Sequence, residues 1–392
     1  MIKKKILFIS YGLVLVALFL YSFTQVDLSL TFSRMPFIRA VVDSSKHIGY
    51  FQRPLSAGIY LTILSLLFIF YAVFLYLAHK GVLTKKEVLK LILGSGILLL
   101  FSYNAFSYDL FNYIFDAKII THYHQNPYIQ KALDYPNDPM LTFMHWTHRT
   151  YPYGPVWLIF TVPLSFLGFN FFIPTFFFFK ALMAGSFVAS AYFIGKILQK
   201  TNPKKEVLGL VFFGLQPLLL IECLVSAHID IVMMMFALWA VYLLLKKQYV
   251  RSSILFIVSI GIKFATLVLA PIFLILFWYQ KRGKTPVWGF VFFLATVLMV
   301  ITTIVASTRT NFQPWYLVGP LTFAAFLVDS PYIIVASILI SFFAMLTYLP
   351  FLYLGNWDPP VPNLLTIFYQ ISYMLSLICI AGIFIYRRIR KR

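Results

Sequence analysis

One stretch of this chain, YDLFNYIFDAKIITHYHQNPYIQKALDYPNDPMLTFMHWTHRTYPYGP, residues 108–155, gathers most of what can do chemistry. It holds Asp109, Asp116, Asp134 and Asp138, four of only 12 acidic residues, and His122, His124, His145 and His148, four of seven histidines. In a chain that is 61% hydrophobic, such crowding points to chemistry where apolar and polar surroundings meet. Asp109 and Asp116 stand seven residues apart, two turns along one helix face. Leu110, Phe111, Ile114, Phe115 and Ile119 give that helix apolar surface, so it suits a helix lying in an interface. A carboxyl near an apolar boundary has its pKa raised, which suits a general base. The competing reading is a pair of solvated loop acids.

The histidines have two readings: zinc ligands with an Asp, or hydrogen-bonding, substrate-facing groups between tyrosines. No HExxH or Cys/His spacing supports the first, so no metal is expected. Asn126-Pro127-Tyr128 and the Tyr151–Pro155 run, which contains Tyr153, are rigid aromatic turns. Their rings suit stacking on sugars and equally an interfacial belt. His228 and Asp230 open a helix, where Asp230 also suits plain capping. Glu222 lies deeper, in QPLLLIECL. Lys263 sits between apolar runs with no acidic residue nearby in sequence, so it needs a tertiary partner. A phosphate, Asp230 or Glu222 would serve. Arg309, Gln313, Trp315 and Tyr316 form a further polar-aromatic turn; Arg309 suits bidentate phosphate binding or snorkelling to headgroups.

The elements that must position these groups are membrane spans. Charged residues make up 11% of the chain, against about 25% in soluble domains. Apolar runs of helix-spanning length recur at 6–24, 56–79, 88–107, 155–169, 170–184, 185–199, 206–223, 228–246, 250–263, 264–280, 286–307, 315–329, 331–354 and 364–386. The expectation is an all-α integral membrane protein with about 12–14 spans. It forms a single membrane domain, residues 1–392, whose large first extracytoplasmic loop is 108–154. The N-terminal apolar run reads as a retained signal anchor. Cys223 and Cys379 both fall in apolar runs, so no disulfide framework follows.

The net charge of +20 is spread as short basic clusters between spans: Lys3–Lys5, Lys80–Lys86, Lys200–Lys205, Lys246–Arg251, Lys281–Lys284 and Arg387–Arg392. That is a positive-inside pattern with affinity for membrane lipids, and not a nucleic-acid face. Both termini are then cytoplasmic and the chain crosses an even number of times. Keeping Lys200–Lys205 inside requires an odd number of crossings over 155–199. Three short ones, broken at Pro163, Gly168 and Pro174, are the expectation. The 108–154 loop, His228, Asp230, Lys263, the Arg309–Trp315 turn and residues 355–363 then share the outer side.

The ordered set SYDLFNYIFDAKII, NPY, YPNDP, HWTHRTYPYGPVW, QPLLLIECLVSAHID, GIKFATLVLAP and QPWY resembles GT-C-fold glycosyltransferases. It is most similar to bacterial polyprenol-phosphate-mannose-dependent mannosyltransferases, over roughly residues 90–320. The sequence has HID where that branch commonly has HND, and a single Asp in SYD where some families have an acidic pair. The resemblance implies a polytopic GT-C helical bundle in the plasma membrane, with an extracytoplasmic active site and interfacial helices in the loop. It implies a hexose, most simply mannose, passing from a polyprenyl-phosphate-linked donor to a glycan or glycolipid acceptor without a cofactor. By position, Asp109 is the catalytic base. Asp116, Asn126, Tyr128, Arg149, Tyr153, His228, Asp230, Lys263, Arg309 and Trp315 bind substrate, with Lys263, helped by Arg149 or Arg309, on the leaving phosphate. Two other readings remain. A transporter or flippase of a lipid-linked sugar should show internal repeats, which are not evident. A non-catalytic assembly partner should tolerate Asp109→Asn.

Overall fold

The computed structural model describes residues 2–389, with side chains placed from Lys4 to Arg388. The Lys3 side chain and Arg390–Arg392, parts of the terminal basic clusters, lie outside the described residues. The architecture is helical: α1 (Ile2–Ser22), α2 (Pro36–Lys46), α3 (Arg53–His79), α4 (Lys85–Leu100), α5 (Asp109–Thr121), α6 (Pro155–Leu167), α7 (Phe172–Thr201), α8 (Glu206–Gly214), α9 (Pro217–Leu219), α10 (Asp230–Leu245), α11 (Tyr249–Ile262), α12 (Ala270–Lys281), α13 (Trp288–Thr310), α14 (Val318–Ala324), α15 (Pro331–Leu346), α16 (Tyr348–Leu354) and α17 (Val361–Ile389). Seven helical stretches among the described residues are long and apolar enough to cross a membrane. An eighth is added if α8 and the Pro217–Val225 segment, bent by 50°, count as one broken span. This is a multi-pass, all-α membrane protein, as the composition requires.

The count of full spans is below the expected 12–14, because several apolar runs form shorter helices. α6, α10 and α11 have 13, 16 and 14 residues. At 1.5 Å per residue they reach roughly 20–24 Å, short of a hydrocarbon core of about 30 Å.

Polar contacts define two ends of the bundle. At one, Lys4 meets Glu87 at 2.9 Å, Lys85 meets Glu206 at 2.7 Å, and Lys205 meets Asp329 at 3.0 Å. This basic end joins the starts of α1, α4 and α8 to Asp329, just ahead of α15. Phe193 of α7 packs on Trp239 and Tyr242 of α10 at 5.4 and 5.8 Å, so Lys246 and Lys247 point to the same end. The 108–154 loop caps the other end.

The segment 155–201 departs from the expected three crossings. Thr121 at the end of α5 bonds Ser165 at 2.9 Å and Asn170 at 2.7 Å. Both the end of α6 and the start of α7 therefore stay at the loop end, and α6 does not cross. α7 then runs unbroken for 30 residues, about 45 Å, to the basic end. One crossing does what three were expected to do, and Lys200–Lys205 reach the same end either way. Pro174 does not break α7 because it lies in the first turn, where a missing N–H costs nothing. Pro163 is accommodated inside α6.

α5 also differs from its expected interfacial setting. Leu110, Phe111, Phe115 and Ile119 are essentially fully buried. Each contributes about 1.5–3 kcal/mol relative to exposure. α6 and α7 cover the helix, and Phe111 packs on Phe143 and Phe172 at 5.5 and 5.9 Å. Asp109 in the first turn and Lys118 in the last complement the helix dipole. A second strand of connection, residues 26–52 with α2, also lies against the loop, where Ser29 donates to the Thr142 carbonyl at 2.8 Å.

Candidate active site

The start of α5 meets an irregular segment of the 217–230 region. After Pro217 the chain winds as a π-helix, Leu220–Val225, then passes through Ala227 at φ +57° before α10 begins at Asp230. A non-glycine residue in the left-handed region costs of order 1–3 kcal/mol. π-helical turns of this kind concentrate at functional sites. The freed backbone groups are satisfied inside the protein. His228 N–H donates to the Glu222 carbonyl at 3.0 Å, and Gln216 caps Leu218 N–H at 3.1 Å while donating to Ser341 at 2.8 Å.

Lys180, fully buried in α7, closes this segment from the side. Its ammonium donates to Ser102 Oγ at 3.0 Å, to the Val225 carbonyl at 3.0 Å and to the Leu224 carbonyl. Three donors thus meet three oxygens, two of them at the negative end of the π-helix. Lys180, like Lys263, is a lone lysine between apolar runs, so its sequence setting already demands a tertiary partner.

The π turn brings two buried groups together and sets one of them, His228, against α5. His228 Nδ1 lies 3.6 Å from Asp109 Oδ2, and His228 Nε2 lies 3.1 Å from Glu222 Oε2. The His228–Glu222 approach is close but out of line for a hydrogen bond, so Glu222 Oε2 and both ring nitrogens stay unpartnered. Tyr348 of α16 donates to the other Glu222 oxygen at 2.9 Å. Trp315, in the turn Pro314–Leu317, stacks on the His228 ring at 4.0 Å and 18°.

Lys263 stands beside this chain of groups. It bonds both carboxylate oxygens of Asp230, at 2.8 and 2.9 Å, and lies 5.7 Å from the centre of the Tyr316 ring. Of the partners the sequence allows, Asp230 is therefore the one Lys263 takes. Its position follows from a backbone contact: Gly154 N–H donates to the Ile262 carbonyl at 3.2 Å, and Gly154 sits hard against Gly261. The YPYGP turn thus docks the loop onto the break that carries Lys263.

Asp109 retains 19% side-chain exposure, whereas Glu222 and His228 retain none. Burial raises the Asp109 carboxyl above its ordinary range; His228, Lys263 and Arg149 oppose the rise and Asp230 adds to it. Asp109 is thus the one partly accessible carboxylate facing both His228 and the Lys263–Asp230 pair.

The other expected residues divide. Tyr153 packs edge-on to Tyr113 at 5.3 Å, and the field of Asp109 reaches both rings. Asn126 accepts from Tyr128 N–H at 3.0 Å and Tyr128 donates to the Tyr153 carbonyl at 3.2 Å, so that turn braces the YPYGP turn. Arg149 stacks on Trp146 at 4.4 Å, exposed. Arg309 lies exposed in the last turn of α13, and among the described residues no hydrogen bond or ion pair ties it to the cluster. His122 and His124 are exposed, while His145 stacks on Tyr108 at 3.7 Å. Among the described residues no three His, Cys, Asp or Glu side chains stand as a metal-ligand set.

Asp116 is separated from Asp109 by its surroundings despite sharing its face. It is 8% exposed, near Tyr151 and Tyr153, and burial pushes its carboxyl well above the usual carboxylate range. A folded pKa raised above the unfolded one stabilises fully below about pH 4 and is lost as pH rises through the folded pKa. Thermal unfolding in detergent across pH 4–8 should therefore show Asp116→Asn gaining on the wild type as pH rises. A difference that does not change with pH would contradict an uncharged Asp116.

The family model described as alpha-(1->6)-mannopyranosyltransferase, N-terminal domain (MptA_B family), matches residues 11–280. The chain belongs to this family. No curated protein and no solved structure gives a match. The mannosyltransferase family identifies a GT-C-like glycosyltransferase, whose substrates are a sugar donor and a glycan acceptor. The family match contains Asp109, the aromatic loop, Glu222, His228, Asp230 and Lys263. Trp315, Tyr316 and Tyr348 fall beyond it, so this mannosyltransferase completes its cluster from α16 and the turn before α14.

Proposed function

We propose that the protein transfers mannose from a polyprenyl-phosphate-linked donor to a hydroxyl of a glycan or glycolipid, with Asp109 as general base. The observation that carries this reading is the placement of Asp109. A partly exposed carboxylate of raised proton affinity faces a histidine on one side and a lysine–aspartate pair on the other. Asp109 takes the acceptor O–H proton as the oxygen attacks the anomeric carbon. The bond from that carbon to the phosphate oxygen breaks, and the polyprenyl phosphate leaves with the electron pair. Lys263 then stabilises the developing phosphate charge from its seat on Asp230, with Arg149 nearby; such stabilisation is often the largest catalytic term.

A lipid-linked donor suits a cluster at the end of a membrane bundle, with charge at headgroup depth and apolar helix surface beside it. On this reading the described residues act as one membrane domain, which Tyr348 of α16 reaching Glu222 and α16 packing on α3 support. The positive-inside rule, applied to basic clusters opposite the loop, puts both termini in the cytoplasm and the site on the extracytoplasmic face of the plasma membrane.

The test uses purified protein in lipid vesicles with isotope-labelled mannose on polyprenyl phosphate or on a nucleotide, plus envelope glycan as acceptor. Label moves from the lipid-linked donor only. Transfer from the nucleotide sugar alone overturns the donor assignment.

A further inference from the structure

Glu222 stands outside the reaction as proposed, yet it is wholly buried and directed at His228. Three facts need a common cause. Two carboxylates flank one imidazole, Asp109 at Nδ1 and Glu222 at Nε2. The ring has no room to turn away, because Trp315 lies flat on its face. Tyr348 fixes the far oxygen of Glu222, leaving the near oxygen free for the ring.

We propose that Glu222 and Tyr348 are positioning residues that hold His228 as an imidazolium, so that Asp109 stays ionised in spite of its burial. A ring with a carboxylate at each nitrogen favours protons on both. The cation then lies 3.6 Å from Asp109, while the Glu222 charge lies beyond the ring, so the nearer cation dominates at Asp109. The other charges that act on Asp109 are Lys263 from the α11 break, Asp230 at the start of α10 and Arg149 from the loop. Lys263 and Asp230 largely cancel one another as a pair. The consequence is a base that accepts the acceptor proton near neutral pH rather than one already protonated there.

The proposal rests on Asp109 being the base, and the experiment separates the two. The kcat/KM of mannosyl transfer is measured against pH for wild type, Glu222→Gln and Tyr348→Phe, with folding checked by thermal unfolding. In Glu222→Gln the imidazolium is lost, and the acid limb moves up by about 1–3 pH units, the effect of a nearby opposite charge on a carboxylate. The rate at high pH is regained, which a merely structural loss would not allow. Tyr348→Phe moves the limb in the same direction by less, and serves if Glu222→Gln fails to fold. Side-chain nitrogen NMR of histidine-labelled protein gives a readout that needs no activity. One of the seven histidines should keep both ring protons into the neutral range, and lose one in either variant. An acid limb unmoved in both variants, or no such histidine, overturns the proposal. A wild type without any transfer defeats the general-base reading instead, and leaves the NMR result to decide the charge of His228.

Discussion

Asp109→Asn abolishes mannosyl transfer, by about 10²–10⁴-fold as expected for removing a general base, and leaves the protein at least as stable as before. The two halves have one cause. Asparagine is nearly the same shape but cannot take a proton, so the acceptor hydroxyl keeps its own. The stability half follows from the raised carboxyl of Asp109. A folded pKa above the unfolded one means stability is lost as pH rises through the folded value, and Asn escapes that loss. Transfer rates and detergent melting curves at neutral pH together check it. Full activity of the variant would rule Asp109 out as the base.

Gly154→Ala is expected to damage activity without touching any charged group. The added methyl would meet the Gly261 carbonyl oxygen at 2.0 Å and its carbon at 2.7 Å, both backbone atoms that cannot swing aside. The two segments must part, at an overpacking cost of about 1–3 kcal/mol. The Gly154–Ile262 hydrogen bond at 3.2 Å stretches with them, and Lys263 moves off its place on Asp230. A displacement of about 1 Å is enough to lower transfer by around 10²-fold. Gly261→Ala meets only the Val156 side chain, at 2.4 Å, and Gly58→Ala meets nothing within 4 Å. Activity loss should therefore fall in the order Gly154, Gly261, Gly58. Equal losses at 154 and 58 would show that the backbone contact does not set the position of Lys263.

Much of this site is readable from residue type and local spacing. The helix beginning at Asp109 is where the apolar spacing puts it, and Asp230 is among the partners that an isolated Lys263 demands. Local spacing fails where tertiary packing decides. Asp109 and Asp116 share a helix face, yet one opens onto His228 and the other is sealed beside tyrosines. The prolines and glycine of 163–174 suggest breaks, but only the contacts of Thr121 with Ser165 and Asn170 show that the chain has not yet crossed. Glu222 announces its depth in the sequence without announcing its partner, because Tyr348 lies 126 residues away in a stretch with no motif. Arg309 differs again: its residue type suits phosphate, but it stands exposed in the last turn of α13, where local spacing names no partner for it.

Lys180 carries a consequence for how the molecule is made. Two of its three acceptors, the carbonyls of Leu224 and Val225, lie 44 and 45 residues further along the chain. When α7 has just been synthesised, its ammonium has only Ser102 to hand. Until the next hairpin arrives Lys180 lacks two of its three acceptors, so the seat of α7 is complete only once the segment bearing Glu222 and His228 is in place.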